Sequence, residues 1–351
     1  MDKNKQGHIL IIRLSAMGDV AMTVPVLLSL TNSYPNLKVT VLTRAFFKPL
    51  FSQMENVTVS VVDVNEKHKG ILGLYRLFKE LKPLKFDAVA DLHNVLRSNI
   101  LKVFFRVTGI PFVQIDKGRR EKKALTRTKN KSFKQLKTTH ERYADVFTKL
   151  GFLVDLVEVK LLEREELSTD ITRVTGDKNH KWIGIAPFAA HNGKMYPLNS
   201  MKEVILRLAK EKTNKILLFG GGTKEASLLN EIESNHESKV VNCAGKLSFK
   251  EELALISNLN VMLSMDSGNG HLATNYGIPV VTLWGVTHPY AGFAPFGQPE
   301  ENGLTSDIEK YPMIPTSIYG NKVPQGYEKV METISPKKVA QKIVTIINNK
   351  G

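Results

Sequence analysis

The sequence predicts an α/β protein built from two successive doubly wound domains, and three observations lead to this prediction. The chain has 351 residues, and at roughly 100–200 residues per domain this length suggests two domains with separate cores. Short runs rich in β-branched residues alternate with helical patterns, as in βα units on a parallel sheet. This alternation stops at the polar residues 161–181 and then restarts. We therefore expect domains over residues 1–165 and 166–335, and a last helix within residues 336–351 that packs back on the first domain.

In the N-terminal half, each element follows from the pattern of its apolar residues. Strands are predicted at residues 8–14, 38–42, 57–63, 86–91 and 112–115. Helices are predicted at residues 20–33, 71–81, 98–108 and 138–150. The last of these helices ends at Gly151, and glycine favours the position after a helix C-terminus.

The C-terminal half repeats the alternation. Strands are predicted at residues 182–186, 215–219, 239–242, 261–265 and 279–283. Helices are predicted at residues 200–212, 224–234, 249–257, 270–276 and 336–348. Ligands of such sheets bind at the carboxyl ends of the strands, near the point where the strand order reverses. With two such domains, the cleft between them is the expected site.

Composition excludes several classes of protein. Hydrophobic residues make up 42% of the chain, which fits a globular protein and not a disordered one. No apolar run reaches the roughly 18–20 residues of a membrane span, and the N-terminus predicts no signal peptide. The single cysteine, Cys243, excludes an internal disulfide and a cysteine-rich metal site. A reducing cytoplasm fits these features.

The net charge of +15 is concentrated in one stretch. Residues 117–142 contain eleven Lys or Arg and two Glu, a net charge of +9. We call residues 117–137 the basic segment. It is either a solvated loop or a surface for a polyanion such as nucleic acid, an anionic membrane or an anionic glycolipid. Phe133 is its only aromatic residue, which disfavours binding of single-stranded nucleic acid by base stacking.

The stretch RLSAMGDVAMTVP follows the first predicted strand. Gly18 permits a tight turn and a close approach of a ligand to the backbone. Asp19 comes directly after it, where the strand passes into a helix. This carboxylate either caps the helix or takes a proton from a bound hydroxyl group.

Two loops of the second half offer groups for a phosphate or a ribose. Lys194 lies in the strand-exit loop of IAPFAAHNGKMYP, where it is either a surface lysine or a point charge for a phosphate. The glycines of LFGGGTKEA can present backbone N–H groups to an anion. Glu225 begins the following helix and either complements the helix dipole or accepts a hydrogen bond from a ribose hydroxyl.

The strongest motif is LSMDSGNGHLATNYGIPVVTLWG. A strand ends at Asp266, Ser267 and Gly268 follow, and a helix starts near His271. The N–H groups at this helix start and the Ser267 hydroxyl would form an anion site. No His-x-x-x-His pair supports a zinc site, and no G-x-S-x-G motif supports a serine nucleophile.

The order of these motifs resembles the ADP-heptose:lipopolysaccharide heptosyltransferases. The resemblance rests on LIIRLSAMGDVAMTVPVL, RYADVFTKLG, the loop with Lys194 and DSGNGHLATNYGIPVVTLWG, and it covers about residues 8–290. It implies a GT-B glycosyltransferase, with two Rossmann-like domains that face each other across a cleft. The first domain would bind the acceptor and the second the nucleotide-sugar donor.

The resemblance also implies an inverting, metal-independent enzyme without a cofactor, which moves a heptose from an ADP-sugar to the inner core of lipopolysaccharide. It places the catalytic base at Asp19. The donor-binding residues would be Lys194, Glu225, Asp266, Ser267, Gly268 and His271. Ala189, Ala190, Val286 and His288 depart from the family pattern, and these departures leave the donor sugar open.

The basic segment lies in the acceptor half of the predicted chain, where an anionic glycolipid would bind. On charge alone, the acceptor-binding candidates are Arg119, Arg120, Lys122 and Lys123. The implied location is cytoplasmic, peripheral at the inner face of the inner membrane, with no nucleic-acid partner.

Other functions fit parts of the sequence. The same fold could use another nucleotide-sugar donor or carry a nucleotide-sugar 2-epimerase. A non-enzymatic binder of polyanions would use the basic segment alone. A dehydrogenase is disfavoured because the chain lacks a G-x-G-x-x-G motif.

Overall fold

Short runs of β-branched and aliphatic residues form two parallel sheets in the computed structural model, which describes residues 5–236 and 238–349. The chain divides into two units, each with one sheet. The first unit comprises Met1–Lys117 and Thr139–Leu162, and the second comprises Gly118–Thr138 and Glu163–Gly351. The predicted α/β class with two doubly wound sheets is confirmed.

The sheet of the first unit has five strands. These are β1 (Gly7–Ile12), β2 (Leu37–Thr43), β3 (Val57–Val61), β4 (Ala88–Asp91) and β5 (Phe112–Gln114). They are ordered β3-β2-β1-β4-β5, and all neighbours are parallel. The strand order reverses between β1 and β4, which is the place where ligands of such sheets bind.

Helices cover both faces of this sheet. They are α1 (Met17–Ala21), α2 (Thr23–Ser33), α3 (Gly70–Leu81), α4 (Leu96–Arg106) and α6 (Thr139–Lys149). The intervening helix α5 (Arg119–Leu125) belongs to the second unit. The helices α3 and α4 lie side by side, and the rings of Phe78 and Phe105 meet edge to face 5.2 Å apart. Both rings belong to a buried cluster with Leu10 and Ile12 of β1, so α3 and α4 share one face of the sheet.

The sheet of the second unit has six strands. These are β6 (Lys181–Ala186), β7 (Asn214–Leu218), β8 (Val240–Asn242), β9 (Val261–Met265), β10 (Val280–Trp284) and β11 (Gly303–Thr305). They are ordered β11-β10-β9-β6-β7-β8 and are all parallel. The strand order reverses between β6 and β9, and the short β11 was not predicted.

The remaining helices of the second unit mostly follow the prediction. They are α7 (Thr169–Thr175), α8 (Leu198–Ala209), α9 (Gly222–Ser234), α10 (Phe249–Ser257), α11 (Gly268–Thr274) and α12 (Pro336–Asn348). The last helix, α12, packs on α8 and on the second sheet. Its buried residues Val339, Ala340, Ile343 and Ile347 form one helical stripe within that core. Residues 350 and 351 lie outside the described part of the chain.

The basic segment lies almost entirely in the second unit, which includes residues 118–138. Leu125 and Leu136 are buried in a small cluster with Ala291. Lys131 Nζ donates hydrogen bonds to the backbone carbonyls of Met313 (2.6 Å) and Pro315 (3.1 Å). These partners come from loops more than 150 positions further along the chain, so a reading of local patterns could not assign them.

Candidate active site

Most of the predicted site residues lie at the carboxyl edges of the two sheets. In the first unit, Asp19 follows β1, next to the point where the strand order reverses. In the second unit, Lys194 follows β6 and Asp266 follows β9, so they flank the corresponding point of that sheet. Each unit therefore carries its charged groups where doubly wound sheets bind ligands.

Asp19 lies in the first turn of α1, and its side chain is 30% exposed. Its Oδ2 atom is 2.5 Å from Nη2 of Arg13 and accepts a hydrogen bond from the Ala16 N–H at 3.3 Å. The second contact is the helix-capping role that the sequence allowed. Among the described residues, both contacts of this carboxylate use Oδ2, so Oδ1 can accept a hydrogen bond from a ligand.

Arg13 holds this carboxylate in place, although the sequence analysis did not select it. The Arg13 side chain is 7% exposed. Its Nη1 donates a hydrogen bond of 2.7 Å to the backbone carbonyl of Leu92, just after β4. Arg13 therefore connects the ends of β1 and β4 and presents its guanidinium group to Asp19.

Tyr143 supports the same loop from α6. Its buried hydroxyl donates a hydrogen bond of 3.2 Å to the backbone carbonyl of Asp19. The Arg13 guanidinium lies 5.9 Å from the centre of the Tyr143 ring. Burial raises the pKa of Tyr143 above its usual value, so the hydroxyl remains a donor. Tyr143 lies in the RYADVFTKLG motif, which thus helps to position Asp19.

His93 and Arg44 are two further residues that the sequence reasoning missed. Nδ1 of His93 accepts a hydrogen bond from the Leu14 N–H at 3.4 Å, which assigns the proton to Nε2. Burial, and then the positive charges of Arg13 and Lys117, lower the pKa of His93 to about 3. The ring is therefore neutral at pH 7 and can donate a hydrogen bond through Nε2. The positive charge of Arg44 also lowers the pKa of His93, by a smaller amount.

Lys194 and Asp266 form the central ion pair of the second unit. Lys194 Nζ lies 2.8 Å from Oδ2 of Asp266 and donates a hydrogen bond of 3.1 Å to the Asp266 backbone carbonyl. The two side chains are only 15% and 5% exposed. The ammonium group is thus fixed between the ends of β6 and β9, where it can meet an anionic ligand.

Gly193 lets the loop with Lys194 pack closely against its neighbours. A Cβ atom on Gly193 would lie 2.5 Å from the backbone oxygen of Gly320 and 2.5 Å from a methyl group of Val286. The Gly193 carbonyl accepts a hydrogen bond of 2.9 Å from the Val286 N–H. This contact joins the loops that follow β6 and β10.

Buried hydroxyl oxygens follow β9 and β10. Ser267 precedes α11, and its Oγ atom is buried without a hydrogen-bond partner among the described residues. Gly268 opens the seven-residue helix α11, and His271 is buried within it. Thr287, which the sequence analysis did not select, follows β10, and its buried Oγ1 also has no partner in the described ranges. Each hydroxyl group can therefore donate a hydrogen bond to an oxygen atom of a ligand.

Glu225 is turned toward its own loop. Its Oε2 atom accepts a hydrogen bond of 2.7 Å from the Gly221 N–H. The carboxylate therefore closes the glycine turn before α9. A Cβ atom on Gly221 would meet nothing within 4 Å, so the turn has open space on that side.

The four basic candidates of the basic segment divide into two kinds. Arg119, Arg120 and Lys123 are exposed. Lys122 is 8% exposed, and its Nζ lies 4.1 Å from the centre of the Phe293 ring. Lys122 therefore anchors α5 to the loop after β10 by a cation–π contact.

The structure thus brings Lys194, Asp266 and Ser267 together at one sheet edge, while Asp19 belongs to the other unit. Within residues 5–236 and 238–349, no group of three His, Cys, Asp or Glu residues could hold a metal ion. The first unit offers a carboxylate that can accept a proton. The second offers a fixed ammonium group and hydroxyl donors for a phosphate.

Comparison with known proteins agrees with this chemistry. The sequence profile of glycosyltransferase family 9 (heptosyltransferase) matches residues 74–314. The chain is 25% identical to the lipopolysaccharide core heptosyltransferase OpsX of Haemophilus influenzae, over 80% of this chain and 79% of that protein. It is 25% identical to lipopolysaccharide heptosyltransferase 3 of Escherichia coli K12, over 77% of this chain and 80% of that one.

Solved structures share the fold. A glycosyl transferase family 9 protein from Veillonella parvula matches with a TM-score of 0.75 and 19% identity over 98% of each chain. Escherichia coli heptosyltransferase WaaC with ADP matches with a TM-score of 0.69 and 20% identity, over 97% of this chain and 99% of that one. These matches confirm the predicted GT-B class. Because the family profile covers more than half of its residues, this chain belongs to glycosyltransferase family 9, the heptosyltransferase family.

Proposed function

We propose that this enzyme transfers a heptose from ADP-heptose to the inner core of lipopolysaccharide or lipooligosaccharide, with inversion at the anomeric carbon. The names of the relatives and the family membership support this substrate class. The observation that carries the proposal is the partly exposed Asp19 carboxylate, whose Oδ2 is held by Arg13 while no contact within the described ranges uses Oδ1. The first unit would bind the acceptor sugar, and the second would bind the donor. The basic segment, which lies almost entirely in the second unit, would bind the anionic groups of the acceptor.

The proposed reaction is one displacement at the anomeric carbon. The acceptor hydroxyl oxygen attacks this carbon from the face opposite the diphosphate, and its proton passes to Asp19. The bond between the anomeric carbon and the diphosphate oxygen breaks, and its electron pair leaves with ADP. Lys194 and the Ser267 hydroxyl stabilise the negative charge that grows on the diphosphate. Asp266 fixes the position of Lys194 through their 2.8 Å ion pair. Glu225, Gly268 and His271 would complete the donor site.

We place the enzyme in the cytoplasm, peripherally at the inner face of the inner membrane, with an anionic glycolipid as acceptor and no nucleic-acid partner. The exposed Arg119, Arg120 and Lys123 support an anionic acceptor. No helix in the described ranges is long and apolar enough to span a membrane.

Thermal unfolding with ADP, UDP, GDP and CDP tests the donor. We expect ADP alone to raise the Tm, since a ligand at a hundredfold excess over its Kd stabilises the folded state by about 2.7 kcal/mol. Transfer of heptose from ADP-heptose to purified heptose-deficient lipopolysaccharide tests the reaction itself. Selective stabilisation by another nucleotide, or no transfer from ADP-heptose, would refute the proposed donor.

A separate prediction concerns the role of the basic segment in acceptor binding. The R119A/R120A/K123A variant should have an acceptor KM about tenfold or more above that of the unchanged enzyme at low salt, because each basic residue contributes about 1 kcal/mol to binding an anionic surface. Its ADP affinity should stay the same. Added salt should reduce the difference, since salt screens exposed charges. The measurement is acceptor KM at two salt concentrations.

A matched control removes three exposed lysines elsewhere in the second unit. The K329A/K337A/K338A variant has the same change in net charge. It should keep the acceptor KM of the unchanged enzyme. An equal rise in KM for both variants would show that net charge alone matters, and would contradict the role of the basic segment.

A further inference from the structure

The outward side of α3 carries large apolar residues in contact with solvent. Ile71 is 65% exposed, Leu72 is 85% exposed and Tyr75 is 44% exposed. The spacing of one and four positions places them on one side of the helix. Single exposed apolar residues are common on protein surfaces, but three on one helix face form a patch that needs an explanation.

The neighbouring helix α4 extends this patch. Leu96 is 77% exposed, Val103 is 59% exposed and Val107, just after the helix, is 86% exposed. Spacings of seven and four positions place them along one stripe. The ring of Tyr75 meets the ring of Phe104 on α4 edge to face, 5.4 Å apart. The two stripes therefore adjoin. We call the six exposed residues the α3–α4 face.

The charges around the α3–α4 face are almost all positive. The two helices contain five basic residues and one acidic residue. The basic residues are Arg76, Lys79, Arg97, Lys102 and Arg106. The acidic residue, Glu80, is paired with Lys67 at 3.0 Å and with His68 at 3.2 Å, and these contacts and hydrogen bonds lower its pKa. No unpaired carboxylate of α3 or α4 therefore opposes an anionic partner.

We propose that the α3–α4 face docks this enzyme on an anionic lipid bilayer. Its aliphatic side chains and Tyr75 would enter the boundary between headgroups and acyl chains, while the arginines and lysines would pair with lipid phosphates. Exposed apolar residues with a basic surround are the features of helices that lie in a membrane interface. The inference rests on the proposed function only in that the acceptor is held in a membrane.

A second copy of the chain is a poorer occupant of this face. A twofold interface places the same patch of both copies in contact. The basic residues of one copy would then lie opposite those of the other, which is unfavourable. A bilayer with anionic headgroups instead complements both the apolar and the basic parts of the face.

Sedimentation of the full chain with lipid vesicles tests the proposal without donor or acceptor. We expect binding to phosphatidylcholine vesicles that contain 30% phosphatidylglycerol, and little binding to phosphatidylcholine alone. The L72S/V103S variant should lower the partition coefficient about tenfold or more, because each substitution removes an aliphatic side chain from the lipid. The R97E/R106E variant should abolish binding at low salt.

A matched control removes a leucine and a valine that are also exposed but lie elsewhere. Leu206 on α8 is 50% exposed, and Val157 is 87% exposed. The L206S/V157S variant should bind vesicles like the unchanged chain. All variants should keep the unchanged Tm, since none of the substituted side chains is buried.

Several outcomes would overturn the proposal. The first is equal binding to both vesicle types. The second is a partition coefficient that is unchanged in L72S/V103S, or that falls equally in the control variant. The third is a dimer of the chain that dissociates in L72S/V103S while vesicle binding stays the same. Vesicle binding without heptose transfer would refute the proposed function and leave this inference standing. Heptose transfer to a detergent-dispersed acceptor by a chain that does not bind vesicles would refute this inference and leave the proposed function standing.

Discussion

Replacing Asp19 by Asn should lower kcat about 10²–10⁴-fold, the usual contribution of a general base. The amide cannot take the proton of the acceptor hydroxyl. ADP affinity should change little, because the groups proposed to bind the donor belong to the second unit. Initial rates of heptose transfer and ADP titrations of the same preparation measure both effects.

The Asn variant also removes the carboxylate that pairs with the nearly buried Arg13, so the Tm of the variant has to be measured with its rate. Asp155 gives a control, since it is an exposed aspartate of the same unit whose Oδ1 accepts a hydrogen bond of 2.9 Å from the Val157 N–H. Asp155→Asn should keep normal turnover. A D19N enzyme that folds normally and keeps turnover within about threefold would show that Asp19 is not the base, because general-base catalysis contributes far more.

The pH profile gives a second test of the same assignment. Because the pKa of His93 is lowered to about 3, the ring stays neutral from pH 5 to pH 9. A loss of rate between pH 7 and pH 5 therefore cannot come from protonation of His93. We expect a His93→Phe variant to keep the shape of the pH profile of the unchanged enzyme.

Regular elements could be predicted from the sequence because their signals are local. The strand at residues 261–265 has the predicted bounds, since a buried apolar run ends there at a charged residue and a glycine turn. The three-residue strand β11 carries too few residues to show a period. The position of the basic segment depends on contacts such as that of Lys131 with Met313, which no local pattern contains.

In the candidate site, too, residues with a local sequence signal could be predicted and residues without one could not. Lys194 and Asp266 could each be selected, because each follows a predicted strand in a small, polar loop, and the structure joins them. Arg13 and His93 also follow strands, but a single arginine or histidine there has no local feature that marks it. Their positions at the ends of β1 and β4, the strands between which the order reverses, were the available signal.

Replacing Lys194 by Ala should weaken ADP binding about 10²-fold and lower kcat as well. A hydrogen bond to a charged group contributes about 1.5–3 kcal/mol, and the variant also leaves Asp266 as an unpaired carboxylate that is 5% exposed. This negative charge would repel the donor diphosphate. Calorimetric titration with ADP and initial transfer rates measure the two effects.

The double variant K194A/D266N separates these two causes. If the unpaired Asp266 carboxylate repels the diphosphate, the double variant should bind ADP more tightly than K194A, although more weakly than the unchanged enzyme. Lys202→Ala is the control, because Lys202 forms an exposed pair of 2.7 Å with Glu231, and such pairs contribute about 0–1 kcal/mol. If K194A binds ADP as tightly as Lys202→Ala, Lys194 does not hold the diphosphate. If K194A and the double variant bind ADP equally weakly, Lys194 acts through its own charge, and Asp266 serves only to position it.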